Sequence, residues 1–256
     1  MINFEYIRAN TAKGAIDAAI KNTSAKFIAG GTNLVDLMKK GVTAPQRLID
    51  INPLPLKDIS SNAKGLSIGA LVPNSVAAEN NLVKEKYPLL AMALNAGASA
   101  QLRNMATVGG NMMQRTRCPY FYDTTMPCNK RQPQSGCGAI AGYNRMHAIF
   151  GASEKCIAVH PSDMCVALAA LNATVMVSGA KGEKKIAFTD FHRLPGDTPE
   201  LDNNLQAGEL ITSIHIPANR FNKMYYLKVR DRLSYAFALV SVAVRSEEHT
   251  SELQSR

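Results

Sequence analysis

SAQLRNMATVGGNMMQRTRC, running from Ser99 to Cys118, is the stretch on which the fold assignment turns. It places a glycine pair, Gly109-Gly110, between Thr107 and Asn111, and it leads into a segment with four cysteines: Cys118, Cys128, Cys137 and Cys156. Glycines let backbone N–H groups come close to an anion, because no Cβ stands in the way. Four thiolates can hold a metal ion or an iron–sulfur cluster. The combination points to an electron-transfer module in which a phosphate-bearing cofactor and a metal centre share one scaffold.

Working outward, an earlier stretch repeats the glycine pattern. Lys26-Phe27-Ile28-Ala29 reads as a buried strand that ends at Gly30-Gly31. Thr32-Asn33 follow, and Leu34-Val35-Asp36-Leu37-Met38 opens a helix that stops at Gly41. Strand, Gly-Gly-Thr-Asn and helix put backbone donors and a helix N-terminus at one spot, which suits an anion. A Gly-Gly pair alone is usually only a turn. Two such sites in one chain can hold the two phosphates of a dinucleotide from opposite sides. No Gly-x-Gly-x-x-Gly follows a strand, so a Rossmann fold is not supported.

The remaining pattern mixes short α and β units. Phe4–Ile7, 47–51 and 66–71 read as strands, with a Thr11-capped helix through Ile20. One helix is expected from Asn74 or Ser75 through Lys86, and another from Pro88 to Gly97. Ser162 or Asp163 caps a further apolar helix in which Cys165 reads as a small core residue. Strand-like alternation then recurs at 174–177, 185–188, 209–217, 223–229 and 234–244, suggesting an antiparallel sheet.

Composition bounds the alternatives. The chain has 256 residues, ordinary apolar and charged fractions, and no apolar run of bilayer length. No secretory signal is legible at the N-terminus, so the compartment is periplasmic if a signal-bearing partner exports the chain and cytoplasmic otherwise. The net charge of +9 is concentrated around the central stretch, at Arg103, Arg115, Arg117, Lys130, Arg131 and Arg145. These residues form either a solvated basic face or a counter-charge to cofactor phosphates, a thiolate centre or an acidic partner. No nucleic-acid signature accompanies them. An odd cysteine count without a signal argues against a disulfide framework. The four central cysteines are separated by nine, eight and eighteen residues, a spacing that leaves zinc and iron–sulfur equally open. His147, His192 and His215 read as structural or exposed, and so does His160, with a place near the cofactor or the metal centre as its lesser alternative.

AGGTNL (Ala29–Leu34), QLRNMATVGGN (Gln101–Asn111) and HPSDM (His160–Met164) resemble the FAD-binding subunit of the molybdenum hydroxylases, the xanthine dehydrogenase and carbon monoxide dehydrogenase family. The cysteine insertion is similar to that of the periplasmic aldehyde oxidoreductase branch, whose FAD subunit also carries a [4Fe–4S] cluster. The resemblance spans Met1 to Val244. It implies an α+β fold: a two-part FAD-binding domain of the vanillyl-alcohol oxidase type over residues 1–213, with a [4Fe–4S] insertion at about 112–160. A truncated C-terminal α+β domain would follow over 214–244. Residues 245–256 read as a non-native tail, an adapter read-through.

The resemblance further implies cofactor contacts from Ile28, Ala29, Gly30, Gly31, Thr32, Asn33 and Leu34, and from Gln101, Arg103, Asn104, Thr107, Gly109, Gly110 and Asn111. Asp163 would reach the sugar or ribityl chain and Lys228 the isoalloxazine. Cys118, Cys128, Cys137 and Cys156 would hold the cluster. No catalytic acid or base is implied. Electrons would pass from iron–sulfur centres to FAD and on to an external acceptor. The implied partners are a molybdenum-cofactor large subunit and a [2Fe–2S] small subunit, with no nucleic acid and no membrane span. The alternatives are the FAD subunit of another molybdenum hydroxylase, of hydroxybenzoyl-CoA reductase or nicotinate dehydrogenase type, and a non-enzymatic zinc-stabilised module.

Overall fold

The chain folds as two packed parts with a cleft between them. A computed structural model describes residues 1–218, 221 and 223–246. The first part runs β1 (Glu5–Arg8), α1 (Ala12–Lys21), β2 (Ala25–Ile28), α2 (Leu34–Lys39) and β3 (Arg47–Asp50). Its three strands pair in parallel in the order β1-β3-β2. Thr11 caps α1 by accepting from the Gly14 N–H, and Ala15, Ile16 and Ala19 pack its buried face on Ile49 and Leu54.

The second part contains β4 (Ile59–Asn62), β5 (Gly65–Gly69), α3 (Asn74–Glu79), α4 (Asn81–Lys86), α5 (Pro88–Ala96), α6 (Ala100–Met105) and α7 (Val108–Met112). After α8 (Pro119–Tyr122) and a long loop region come α9 (Asp163–Ala170), β6 (Thr174–Gly179), β7 (Gly182–Ala187) and β8 (Leu210–Pro217). Five antiparallel strands pair in the order β4-β5-β8-β6-β7. The main core lies between this sheet and α3, α5 and α9, with Ile68, Leu90, Leu168, Val175 and Ile214 almost fully enclosed. A separate hairpin, β9 (Lys223–Val229) with β10 (Val240–Ser246), packs on α5 and α9.

Several expectations shift. The single helix expected from Asn74 to Lys86 is two, because Asn80 adopts an extended backbone and caps α4 through the Leu82 N–H. The strand expected at 234–244 is shorter and later, because 231–235 bend and Tyr235 takes a left-handed φ of 51°. It runs on through Arg245 and Ser246, the first two residues of the expected tail; the others, 247–256, lie outside the described residues. The expected boundary at 213/214 falls inside β8, whose register with β5 and β6 is continuous there, so the break in pairing comes only after Pro217.

The cysteine insertion is fastened to α2. Leu37, Phe121 and Cys128 form a small buried cluster, and Asp36 accepts from both Arg117 (3.0 Å) and the Tyr122 hydroxyl (3.1 Å). Phe121 is fully enclosed. Phe121→Ala is therefore expected to weaken the insertion by about 3 kcal/mol, a core aromatic truncation. Limited proteolysis would show new cleavage between residues 118 and 156 while the five-stranded sheet stays resistant.

Candidate functional site

The cleft has a volume of about 1040 Å³. Its floor is made where the two glycine pairs converge. A Cβ on Gly30 would lie 1.8 Å from the Met105 carbonyl oxygen, so only glycine lets β2's exit touch the chain between α6 and α7. Gly31 then takes φ +70°, which turns the chain into α2 at low steric cost.

The two glycine pairs do different work. Among the described residues, the backbone N–H groups of Thr32, Asn33 and Leu34 have no protein acceptor. At the second pair the donors are committed: Val108 N–H to Val72 O, Gly109 N–H to Ala70 O and Gly110 N–H to the Thr107 hydroxyl. The first turn can therefore supply backbone donors to an anion. The second is a packing device, with Gly109 seated 3.0 Å (as a notional Cβ) from Ala70. Both turns line the cleft, and of the two the first is the one whose N–H groups are free.

Two buried polar atoms on the cleft wall lack partners. Asn33 accepts from the Arg115 N–H through Oδ1 (2.9 Å), but its Nδ2 has no acceptor, and neither does Asn74 Oδ1 have a donor. Buried groups of this kind are rarely left unsatisfied, so they fit a polar ligand. Most of the residues expected to bind the cofactor line the cleft: the whole run from Ile28 to Leu34, then Arg103, Thr107, Gly109, Gly110, Asn111 and Asp163.

Gln101, Asn104 and Lys228 do not. Gln101 and Asn104 point outward from α6 and are exposed. Lys228 lies behind Asp163, its ammonium donating to Asp163 Oδ2 (2.9 Å) and to Ala96 O (3.0 Å) in a nearly dry setting. Tyr226 donates to the other oxygen of Asp163 at 2.7 Å, and burial pushes its phenol pKa up, which keeps it a donor. Asp163 thus bridges the cleft wall and the β9–β10 hairpin.

Some lining residues carried no motif. Ala98 adopts φ 49° beside Gly97, a conformation rare for a residue with a Cβ and legible only as a small-residue run. Tyr235 and Phe237 close one end of the cleft. Arg145 pairs with both oxygens of Asp231 (2.8 and 2.9 Å), and the Arg117 guanidinium lies 5.5 Å from the Phe237 ring centre. The basic residues read as possible counter-charges are all engaged internally. Arg131 donates to Tyr120 O, Phe121 O and Met126 O at the end of α8, while Arg103 donates to Gly97 O. Asp202 takes bonds from Arg115 (2.5 Å) and Lys130 (2.7 Å).

The four central cysteines converge. Cys118, Cys128, Cys137 and Cys156 all line one small cavity with Phe121, Ala139 and Lys130, and none is in a disulfide. Cys128 and Cys137 face each other across an antiparallel bridge. Burial, reinforced by the neighbouring thiols, pushes Cys118 up to about 11, despite backbone N–H groups that favour its thiolate. Cys156 is also raised, by burial first. Four thiols gathered round one small space are suited to a metal held by their deprotonated sulfurs. Cys165 is a core residue pushed up to about 12 by burial. His160 and His192 lie close to it and both bond Met112 O through Nε2, at 3.2 and 2.9 Å, closing the C-terminal end of α7. Burial, then the neighbouring His192, pushes His160 down to about 3, so this pair is neutral.

Residues 2–219 match the family of FAD binding domains in molybdopterin dehydrogenases. The chain belongs to this family. It is 53% identical over 242 residues to the aldehyde oxidoreductase FAD-binding subunit PaoB of Escherichia coli K12, an alignment covering 94% of this chain and 76% of that one. It is 31% identical to the glyceraldehyde dehydrogenase medium chain of Sulfolobus acidocaldarius, covering 94% and 70%. The fold matches that of a Cu,Mo-CO dehydrogenase structure with TM-score 0.71 at 22% identity, over 96% of this chain and 70% of that one. FAD is the cofactor of the family, and the free N–H groups, the two unpartnered asparagine atoms and the cleft volume fit it.

Two outcomes test this geometry. Gly30→Ala is expected to cost about 3 kcal/mol or more through backbone displacement and to abolish FAD retention. Gly110→Ala, whose Cβ would meet only the Thr107 hydroxyl at 3.0 Å, should fold and keep most of its flavin. Flavin absorbance per protein and thermal unfolding read both. For Asp202, burial pushes the pKa up, but Arg115 and Lys130 outweigh it and hold it below the usual value. The pair's stabilisation is thus full above the ordinary aspartate range near 3.9 and is lost as pH falls through the lower folded value. Asp202→Asn should remove that acid limb and cost about 2 kcal/mol at neutral pH, checked by urea unfolding across pH.

Proposed function

We propose that this chain is the electron-transfer flavoprotein subunit of a molybdenum-dependent aldehyde oxidoreductase, with FAD in the cleft and a [4Fe–4S] cluster on Cys118, Cys128, Cys137 and Cys156. Its partners are a molybdenum-cofactor large subunit and a [2Fe–2S] small subunit, and its electrons leave to an external acceptor. The observation that carries this reading is the shared wall: Leu37 lines the cleft on one side and packs on Phe121 and Cys128 on the other. The 53% identity to an aldehyde oxidoreductase FAD-binding subunit supports the aldehyde branch over other molybdenum hydroxylases.

When bound, FAD and the cluster supply the electron exchange, and the chain supplies position and surroundings. The backbone donors of Thr32, Asn33 and Leu34 would meet the pyrophosphate. Asn33 Nδ2 and Asn74 Oδ1 would each gain the partner they lack. Asp163, neutralised by Lys228 and held by Tyr226, presents a fixed acceptor edge to the cleft. Around the cysteines, Phe121 and Ala139 exclude water, and Lys130 offsets the negative charge of deprotonated sulfurs. No group of this chain is assigned a catalytic proton transfer.

A four-thiol site also suits zinc, so metal content decides between the readings. Anaerobically reconstituted protein is expected to be yellow-brown, with one FAD and about four iron atoms by the cluster assignment. Cys128→Ser should lose the iron and its visible absorbance while keeping the flavin spectrum. Stoichiometric zinc without iron in the wild type, or unchanged iron in Cys128→Ser, would overturn the cluster assignment.

A further inference from the structure

One contact at the cysteine cavity has no part in the roles above: His147 Nε2 lies 3.1 Å from Cys118 Sγ. The two residues are 29 positions apart, so the contact is tertiary. The imidazole is held in place from several directions. Its backbone N–H bonds Asn144 O at 3.0 Å, and the next residue, Ala148, bonds Ile157 O at 2.8 Å beside Cys156. The ring packs on Tyr120 at 6.3 Å between centres, and the Tyr120 hydroxyl is itself fixed by the Tyr143 N–H at 2.7 Å. Among the described residues, no other side chain bonds a sulfur of the four; Cys156 Sγ receives only a long backbone contact from the Ala158 N–H, at 3.5 Å.

We propose that His147 is a positioning residue for the metal centre, its Nε2–H donating to the Cys118 sulfur and setting the centre's reduction potential. This rests on the iron–sulfur assignment made above. A ligating cysteine has no proton on sulfur, so the only hydrogen bond the pair can then make runs from Nε2–H to Sγ. Nδ1 is then the unprotonated nitrogen; it is buried and makes no hydrogen bond of good geometry, although the Asn144 backbone approaches the ring. A donor on a ligand sulfur withdraws electron density and favours the more electron-rich, reduced state. His147 therefore raises the potential, and, as the one side-chain donor to these sulfurs among the described residues, it sets Cys118 apart from the other three.

The test is an EPR-monitored redox titration of the full chain carrying FAD and cluster. H147A is expected to keep wild-type iron, sulfide and flavin but to titrate at a more negative potential, with the flavin couple in the same sample unmoved. H147Q, whose amide N–H can reach the same sulfur, should recover part of the shift. If H147A sheds iron, H147M, which fills the space without an N–H, takes its place in the comparison. An unchanged cluster potential at full iron content overturns this role and leaves the cluster assignment standing. Loss of iron from all three variants also overturns it, marking His147 as a ligand or a structural support. A wild-type chain without iron overturns the cluster assignment first and this role with it.

Discussion

The structure depends on one backbone contact, the seating of Gly30 against the Met105 carbonyl, closer than any Cβ would permit. It joins the exit of the parallel sheet to the α6–α7 junction and so sets the separation of the two parts of the fold. If they were held further apart, the free N–H groups of Thr32, Asn33 and Leu34 would face open solvent instead of lining a cleft. Backbone contact at this range is stiff, because neither peptide can rotate away as a side chain can. The site is therefore preorganised by main chain on both sides of the floor.

From that contact the short helix α2 acquires three duties. Its first turn presents donors to the cleft, Asp36 anchors Arg117 and Tyr122 of the insertion, and Leu37 forms the apolar layer between cleft and thiols. Only six residues long, α2 draws little stability from its own hydrogen bonds and much from packing on both sides. The same economy appears at Asp163, whose carboxylate ties α9 to Tyr226 and Lys228 while one edge lines the cleft. In both places one side chain couples the ligand site to a neighbouring structural unit.

Much of the fold was legible because its signals are local. Thr11 caps its helix as expected, Ser162 is the one of the two candidates, Ser162 and Asp163, that caps α9, and the alternation over 223–229 matches β9 residue for residue. The break at Asn80 was not, since a polar residue in a helical run is ambiguous until its side chain finds the Leu82 N–H. Nor was the place of Tyr235 and Phe237 at the cleft's edge, beside Asp231, which pairs with Arg145, and under the Arg117 guanidinium. Charge was equally ambiguous: the clustered basic residues were open to a solvated face or to a counter-charge, and in the fold they bond internal carbonyls and carboxylates, with Lys130 also beside Cys156.

The sequence by itself determined the chemistry available: a pair of glycine turns, four thiols in one window, and a family membership written in three short motifs. Tertiary structure alone decided how that chemistry is divided. Identical-looking Gly-Gly pairs became a donor surface and a packing joint, because the second lies against the Ala70 and Val72 carbonyls that follow β5 and the first does not. Thiols spread over 39 positions of chain came to face one cavity, and Lys228 was drawn behind Asp163 and away from the cleft. The physical reason is the same in each case. Spacing along a chain limits which groups can meet, but burial and the demand to satisfy every buried donor and acceptor choose which of them do.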